Sequence, residues 1–217
     1  GNNMHNGFSI LKLNHNKIRF ELANANTREK TLLDTPMPET DNWTHMAHVW
    51  NSISAEASTY MNGKLVGKSK FSGPIPFESK YVNLGRSRQY SDWLPGYWSG
   101  GLTELRIWKY PRTGRQINRY KNTTINKESK GLYEYIKLSQ KDGNEIISSI
   151  SGHKIADFYM PNWQSTKNIP ISNGEDFYYA SFGSVSNNDT NVKQQNTPDW
   201  GQLGHFTVLQ IQLGNYD

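Results

Sequence analysis

Trp43-Thr-His-Met-Ala-His-Val-Trp50, followed by Thr59-Tyr-Met-Asn-Gly-Lys-Leu-Val66, is the stretch on which the fold turns. Asn62-Gly63 supplies two neighbouring residues that tolerate positive φ, the requirement of a two-residue hairpin turn. The runs on either side of the turn are rich in β-branched and aromatic residues, so strands are expected over 43–50, 59–61 and 64–66. Upstream, Phe8–Leu13 partly alternates and Asn14-His-Asn16 marks a turn. Lys17–Leu22 then places Ile18, Phe20 and Leu22 on one face, a second hairpin. Residues 34–42, with two prolines and three acids, read as a loop.

Downstream, Tyr81-Val-Asn-Leu84 reads as a short strand and 85–96 as a polar, aromatic loop. Leu102–Trp108 alternates as one strand, with Leu102, Glu104, Arg106 and Trp108 on one face and Thr103, Leu105 and Ile107 on the other. Glu104 and Arg106 are thereby expected to pair with neighbours on an exposed sheet surface. Residues 112–121 carry helical spacing through Ile117 and Tyr120, enough for a short helix. Strands follow at 132–138 and 155–159, a polar loop at 183–202, and a last strand at 205–213 in which Phe206 and Val208 fall out of phase with Ile211 and Leu213. Short strands with turn signals between them predict an all-β, antiparallel β-sandwich or barrel.

The 217 residues are ample for a buried core, and the mean hydropathy of -0.79 marks a polar chain. No apolar stretch approaches the roughly 20 residues of a membrane-spanning helix, so no transmembrane segment is expected. Cysteine is absent, which removes disulfides, thiolate nucleophiles and cysteine metal sites. The chain starts at Gly1 with no apolar leader, and it reads as a mature or excised piece of something longer. The formal charge of +5 is spread over short basic groups near 86–88, 106–109 and 112–121 without a run of like charge. That dispersal reads as solvated surface and gives no case for nucleic acid as a partner.

Five features occur in a fixed order: the 42–50 strand, the Asn-Gly hairpin, Asn83-Leu-Gly-Arg86, Tyr97-Trp-Ser-Gly-Gly-Leu-Thr-Glu-Leu-Arg-Ile-Trp108, and Arg112-Thr113. Together they resemble the laminin-G-like domains of the concanavalin A-like lectin and glucanase superfamily, convincingly over 7–120 and plausibly to about 163. The resemblance implies a jelly-roll sandwich with Trp43 and Trp108 between the sheets. It also implies an opening strand that nothing before Gly7 supplies. Gly204-His-Phe-Thr-Val-Leu-Gln-Ile-Gln-Leu213 is similar to that strand, so the expected organisation is a core over 1–163 with 164–217 completing it, permuted or processed, or else beginning a second module.

Little catalytic chemistry is legible. A glucanase of this superfamily needs carboxylates about 5 Å apart on one strand. Glu104 is followed two positions on by Arg106, so no enzyme is expected. His45 and His48, three apart, project to opposite faces and make a poor metal pair. The loop Arg86-Ser-Arg-Gln-Tyr-Ser-Asp-Trp-Leu-Pro-Gly-Tyr97 combines aromatic plates with planar polar groups, which is how proteins hold sugars. Its candidate ligand-binding residues are Arg86, Arg88, Gln89, Tyr90, Asp92 and Trp93, with Tyr90 and Trp93 as platforms. A second surface runs from Asp157 through Tyr159 and Asn162 to Trp163, where Trp163 is expected instead to close the sandwich.

The resemblance also implies calcium, for which Asp34, Asp41 and Asp92 are the loop acids at hand, although they form no ligand series. The expected function is a non-catalytic recognition module for glycan or a glycoprotein, secreted or at the cell surface, within a larger protein. The rival reading is a structural or receptor-docking domain of a bacterial toxin or adhesin that contacts sister domains or subunits.

Overall fold

Turn chemistry and alternation produce fourteen strands and one short helix among the described residues of the computed structural model. Those residues are 6–13, 17–38, 42–75, 84, 100–157, 162–172 and 174–182, together with the backbone of 206–214. In chain order the elements are β1 (Gly7–Leu13), β2 (Lys17–Asn24), β3 (Glu29–Pro36), β4 (Thr44–Asn51), β5 (Glu56–Met61), β6 (Lys64–Lys70), β7 (Gly100–Thr103), β8 (Leu105–Trp108), α1 (Gly114–Tyr120), β9 (Leu132–Ile136), β10 (Glu145–Ile147), β11 (Lys154–Asp157), β12 (Asn162–Thr166), β13 (Phe177–Phe182) and β14 (Phe206–Gly214). The architecture is all-β and antiparallel apart from α1. One sheet is β1-β2-β3, the larger runs β12-β13-β7-β14-β4-β5-β6 with β8 and β9 attached through β14, and β10 and β11 pair as a separate two-stranded ribbon outside these two main sheets.

The two sheets share one apolar cluster. Ile18, Phe20, Leu22 and Leu33 of the small sheet meet Met46, Trp50, Leu102, Leu105, Ile136 and Ala180 of the large one. Each such side chain withdrawn from water contributes about 1.5–3 kcal/mol before chain entropy is set against it. His48 lies among them, its ring 4.9 Å from that of Phe20 and its Nδ1 2.9 Å from Thr59 Oγ1. Residues 34–36, expected in a loop, instead end β3. There Thr31, Leu33 and Thr35 point inward and Asp34 outward, where it accepts two hydrogen bonds from Arg19 at 2.6 and 2.8 Å.

The expected hairpin turn forms with Asn62 at φ 49° and Gly63 at φ 80°. Asn62 N donates to His45 O at 2.8 Å while His45 N donates to Asn62 Oδ1 at 3.0 Å, which ties the turn to the start of β4. Gly63 is required twice over. A Cβ there would strike Asn118 of α1 as well as strain the backbone. Thr113 and Gln116 cap α1 reciprocally, and Ile117 buries fully against Ala47, Val49 and Tyr60 on the outer face of the large sheet.

The Leu102–Trp108 run is not one alternating strand. Glu104 adopts φ 59°, breaking it into β7 and β8 and shifting the phase, so that Leu102 and Leu105 both reach the inter-sheet core. Glu104 and Arg106 are therefore not on an exposed surface; they are 2% and 1% exposed. Arg106 Nη2 donates to Glu104 Oε2 at 2.5 Å and to Thr123 O at 2.5 Å, and Nη1 donates to Tyr120 O at 3.2 Å. Tyr135 Oη donates to the same carboxylate at 2.6 and 2.8 Å. Burial, and then the Glu104 carboxylate, push the Tyr135 phenol above its ordinary range, which keeps its proton in place. Trp108 packs with Leu132 and Tyr135 in a separate cluster beside Ile125 and Ile150, and the Arg112 guanidinium lies 3.9 Å from its ring. Trp108 is thus buried outside the inter-sheet core expected for it.

β14 lies inside the large sheet, paired with β4 on one side and with β7 and β8 on the other. Its register against β4 shifts between Val208 and Ile211, at the break in apolar phase visible in the sequence. On the opposite side of the sheet, β12 and β13 extend it beyond β7.

Removing one member of a buried pair strands the other charge. Glu104→Ala or Arg106→Ala should each cost about 3–5 kcal/mol in urea unfolding, and the double variant should lose less than the sum. His48 supplies a second expectation. Burial holds its pKa down at about 3 against 6.5 for the free side chain, so the folded chain keeps it neutral while the unfolded chain takes a proton. Its contribution is intact above about pH 6.5 and is lost as pH falls toward 3, by up to about 1.4 kcal/mol per pH unit. Urea unfolding of His48→Gln at about pH 7 and pH 5 should show that part of the slope removed.

Candidate functional site

The large sheet ends in a rim to which several chain segments return. Gly100 opens β7 opposite Phe182, the last residue of β13; Gly101 lies between Ser181 and Gly214; Thr44 opens β4 opposite Leu213. Asn162, the first residue of β12, pairs with Ser181 at the same end. In the sequence, Gly100 follows the segment that contains the aromatic loop.

The outer face of the rim is set by parity along β4. Met46 and Trp50 belong to the inter-sheet core and Ala47 and Val49 to the outer face, which puts Trp43 outside. This corrects the expectation that Trp43 packs between the sheets. Its ring meets Tyr179 edge-on at 4.8 Å and 78°, and its tip rests on Gly101, where a Cβ would come within 2.6 Å of it. One register step beyond Leu213–Thr44, Gly214 lies between Trp43 and Gly101, so the indole crosses a strand at a position that has no side chain. Tyr179, only 1% exposed, donates through its hydroxyl to Gln164 Oε1 at 2.9 Å. Gln164 and Asn162 share this outer face, because the intervening Trp163 packs on the inter-sheet core.

The result is a shelf with a half-buried indole at one side, a glycine floor, and the planar amides of Gln164 and Asn162 at the other. An indole can lie against the C–H face of a sugar ring while amides bond its hydroxyls. The sequence reading missed Trp43, Tyr179 and Gln164. The signal for Trp43 was available: it stands seven residues from Trp50, an odd separation, so one strand cannot aim both indoles at one core.

The sequence-predicted residues Arg86, Arg88, Gln89, Tyr90, Asp92 and Trp93 lie outside the described residues, as do Asp41 and Tyr159. Asp157 is described and pairs with Lys154 at 2.7 Å. Trp163 Nε1 donates to Gly143 O at 2.8 Å while the ring packs on the core, the closing role expected of it. For calcium, Asp34 does not fit, since Arg19 occupies both of its oxygens and holds its carboxyl below the usual carboxylate range. Among the described residues no group of three or more His, Asp or Glu side chains gathers to hold a metal ion. No described helix is long and apolar enough to cross a membrane.

A family model of laminin-G type, described as the concanavalin A-like lectin/glucanases superfamily, matches residues 1–118. The chain belongs to that superfamily. A solved structure that matches this superfamily member is the 1.50 Å crystal structure of a "putative carbohydrate binding protein" from Bacteroides ovatus ATCC 8483, with 16% identity and a TM-score of 0.50 over 89% of the chain. The chain spans half the length of that protein. No curated protein matches it in sequence.

The shelf depends on the bare floor. Gly101→Ala should dislodge Trp43 and Tyr179 and cost about 1–3 kcal/mol by overpacking. Near-ultraviolet circular dichroism should lose part of its aromatic signal while the far-ultraviolet strand signal persists.

Proposed function

We propose that this superfamily member is a non-catalytic recognition module for glycan or a glycoprotein, part of a larger secreted or surface protein. Its ligand lies on the rim between Trp43 and the loop carrying Arg86, Arg88, Gln89, Tyr90, Asp92 and Trp93. The observation that carries the reading is the Trp43 indole resting on Gly101, one residue after the Gly100 at which the chain enters β7 from the segment that contains that loop. On this reading the aromatic plates and planar polar groups of the loop work together with the Trp43 shelf, a combination suited to sugar rings. The carboxylate most like a glucanase acid, Glu104, favours binding over hydrolysis, because Arg106 and Tyr135 occupy it in the sheet interior.

We further propose that 164–217 completes the jelly roll begun by 1–163, with β14 in the place of the opening strand that the family resemblance expects before Gly7. The pairing of β14 with both β4 and β7 supports this reading over a second module.

A glycan array run with calcium and with chelator tests the function. Tyr90→Ala, Trp93→Ala and Trp43→Ala should each weaken the bound glycans by tenfold or more. Undiminished binding in all three removes the rim from the site. Equal binding in chelator removes calcium from it. An array without hits, beside a stable complex with a protein domain or subunit, supports the docking role of a toxin or adhesin domain instead.

A further inference from the structure

The net charge of the chain resides in one segment. Residues 109–130, which run from the end of β8 over the outer face of the large sheet, hold seven of the 24 basic residues and one of the 19 acidic ones. Their formal charge is +6, so the other 195 residues together carry −1. Charge that reads as dispersed when taken in short groups is thus concentrated in one stretch of chain.

Elsewhere several cations have carboxylate partners: Arg19 has Asp34, Lys30 has Glu21, Lys68 has Glu56, and Lys154 has Glu145 and Asp157. In the crossing segment, Lys109, Arg115, Arg119, Lys127 and Lys130 are exposed and form no ion pair among the described residues. Aromatic rings steady several cations in place of acids. Lys109 Nζ lies 5.6 Å from the Tyr133 ring, and Arg112 and Arg119 each lie 5.4 Å from that of Tyr120. The latter two guanidiniums are therefore no further apart than twice that distance, close to the roughly 8–10 Å over which salt screens charge. Half-burial adds to the cost of charge there, pushing Arg112 below its ordinary pKa.

We infer that the exposed face of the 109–130 crossing segment is a second binding surface, for an anionic polysaccharide bearing carboxylate or sulfate groups. Repeated anions along one flexible chain match cations spread along one segment, and their arrival relieves like-charge repulsion that the fold alone leaves standing. A membrane fits less well, since Ile117, the apolar residue of α1, is fully buried and leaves the helix no face to insert. Nucleic acid fits less well because the rings of Tyr120 and Tyr133 already hold cations and do not offer bare stacking platforms.

The test uses the whole chain at about 0.15 M salt with heparin, polygalacturonate, neutral dextran, single-stranded DNA and phosphatidylserine vesicles. Binding to heparin or polygalacturonate but not dextran is expected, and the two polyanions separate sulfate from carboxylate recognition. Arg115→Glu with Lys127→Glu should weaken that binding at least tenfold. Lys17→Glu with Lys141→Glu, the same change in charge on exposed residues elsewhere, should weaken it less than twofold. If the first pair lowers the thermal unfolding midpoint, Arg115→Gln with Lys127→Gln repeats the comparison with a smaller perturbation. Equal losses in both pairs, no wild-type binding to either polyanion, or preference for DNA or vesicles overturns the proposal. Tyr90→Ala with Trp93→Ala should leave polyanion binding intact, so failure here and failure at the rim read out separately.

Discussion

The left-handed turn at Glu104 and the buried ion pair beside it constrain the rest of the molecule. One residue at φ 59° resets the alternation between β7 and β8, so Leu102 and Leu105 both enter the core and Arg106 is aimed outward under the crossing segment. A guanidinium in that position would be costly alone. Glu104, two backbone carbonyls and the hydroxyl that Tyr135 offers to the same carboxylate make a network in which both charges have several partners, the condition under which a buried pair is tolerated. Because the two carbonyls belong to Tyr120 and Thr123, the pair also fixes where the chain leaves α1.

That anchor explains how a seven-residue helix survives. A helix this short is marginal in water. Here Thr113 and Gln116 cap its start, Ile117 is buried against β4 and β5, Lys121 Nζ donates to Asn62 O at 3.1 Å, and Arg106 grips the carbonyls at its end. The Asn-Gly turn and the helix consequently define each other: the turn needs Gly63 for its φ and α1 needs the same glycine for space. Between them they roof part of the outer face of β4 and β5.

Much of this was legible in the sequence. The hairpins at 14–16 and 62–63, the inward face of Ile18, Phe20 and Leu22, and the short helix through Ile117 all follow from local pattern, because turn residues and periodicity act over a few positions. What escaped was non-local or turned on a single residue. The end of β3 was hidden by Pro36, which sits on its exposed, outward side, and by Pro38 just beyond it. The bulge at Glu104 was hidden because acidic, basic and apolar residues alternate convincingly through it, and only pairing with the core shows that the phase has slipped. Parity along β4 did hold enough information to place Trp43 outside, and only the glycines of two other strands reveal why an indole fits there.

The same reasoning separates two surfaces by charge. The shelf beside Trp43 is built of an indole, a glycine floor and neutral amides, whereas the crossing segment carries a formal charge of +6 against −1 for the rest of the chain. Short groups of basic residues are therefore poor grounds for dismissing charge, because what a ligand meets is the balance over a whole segment. Here a strand end, a short helix and a loop held by Arg106 carry seven cations and one acid across the outer side of the sheet, while Arg19 and Lys68 on strands elsewhere have carboxylate partners.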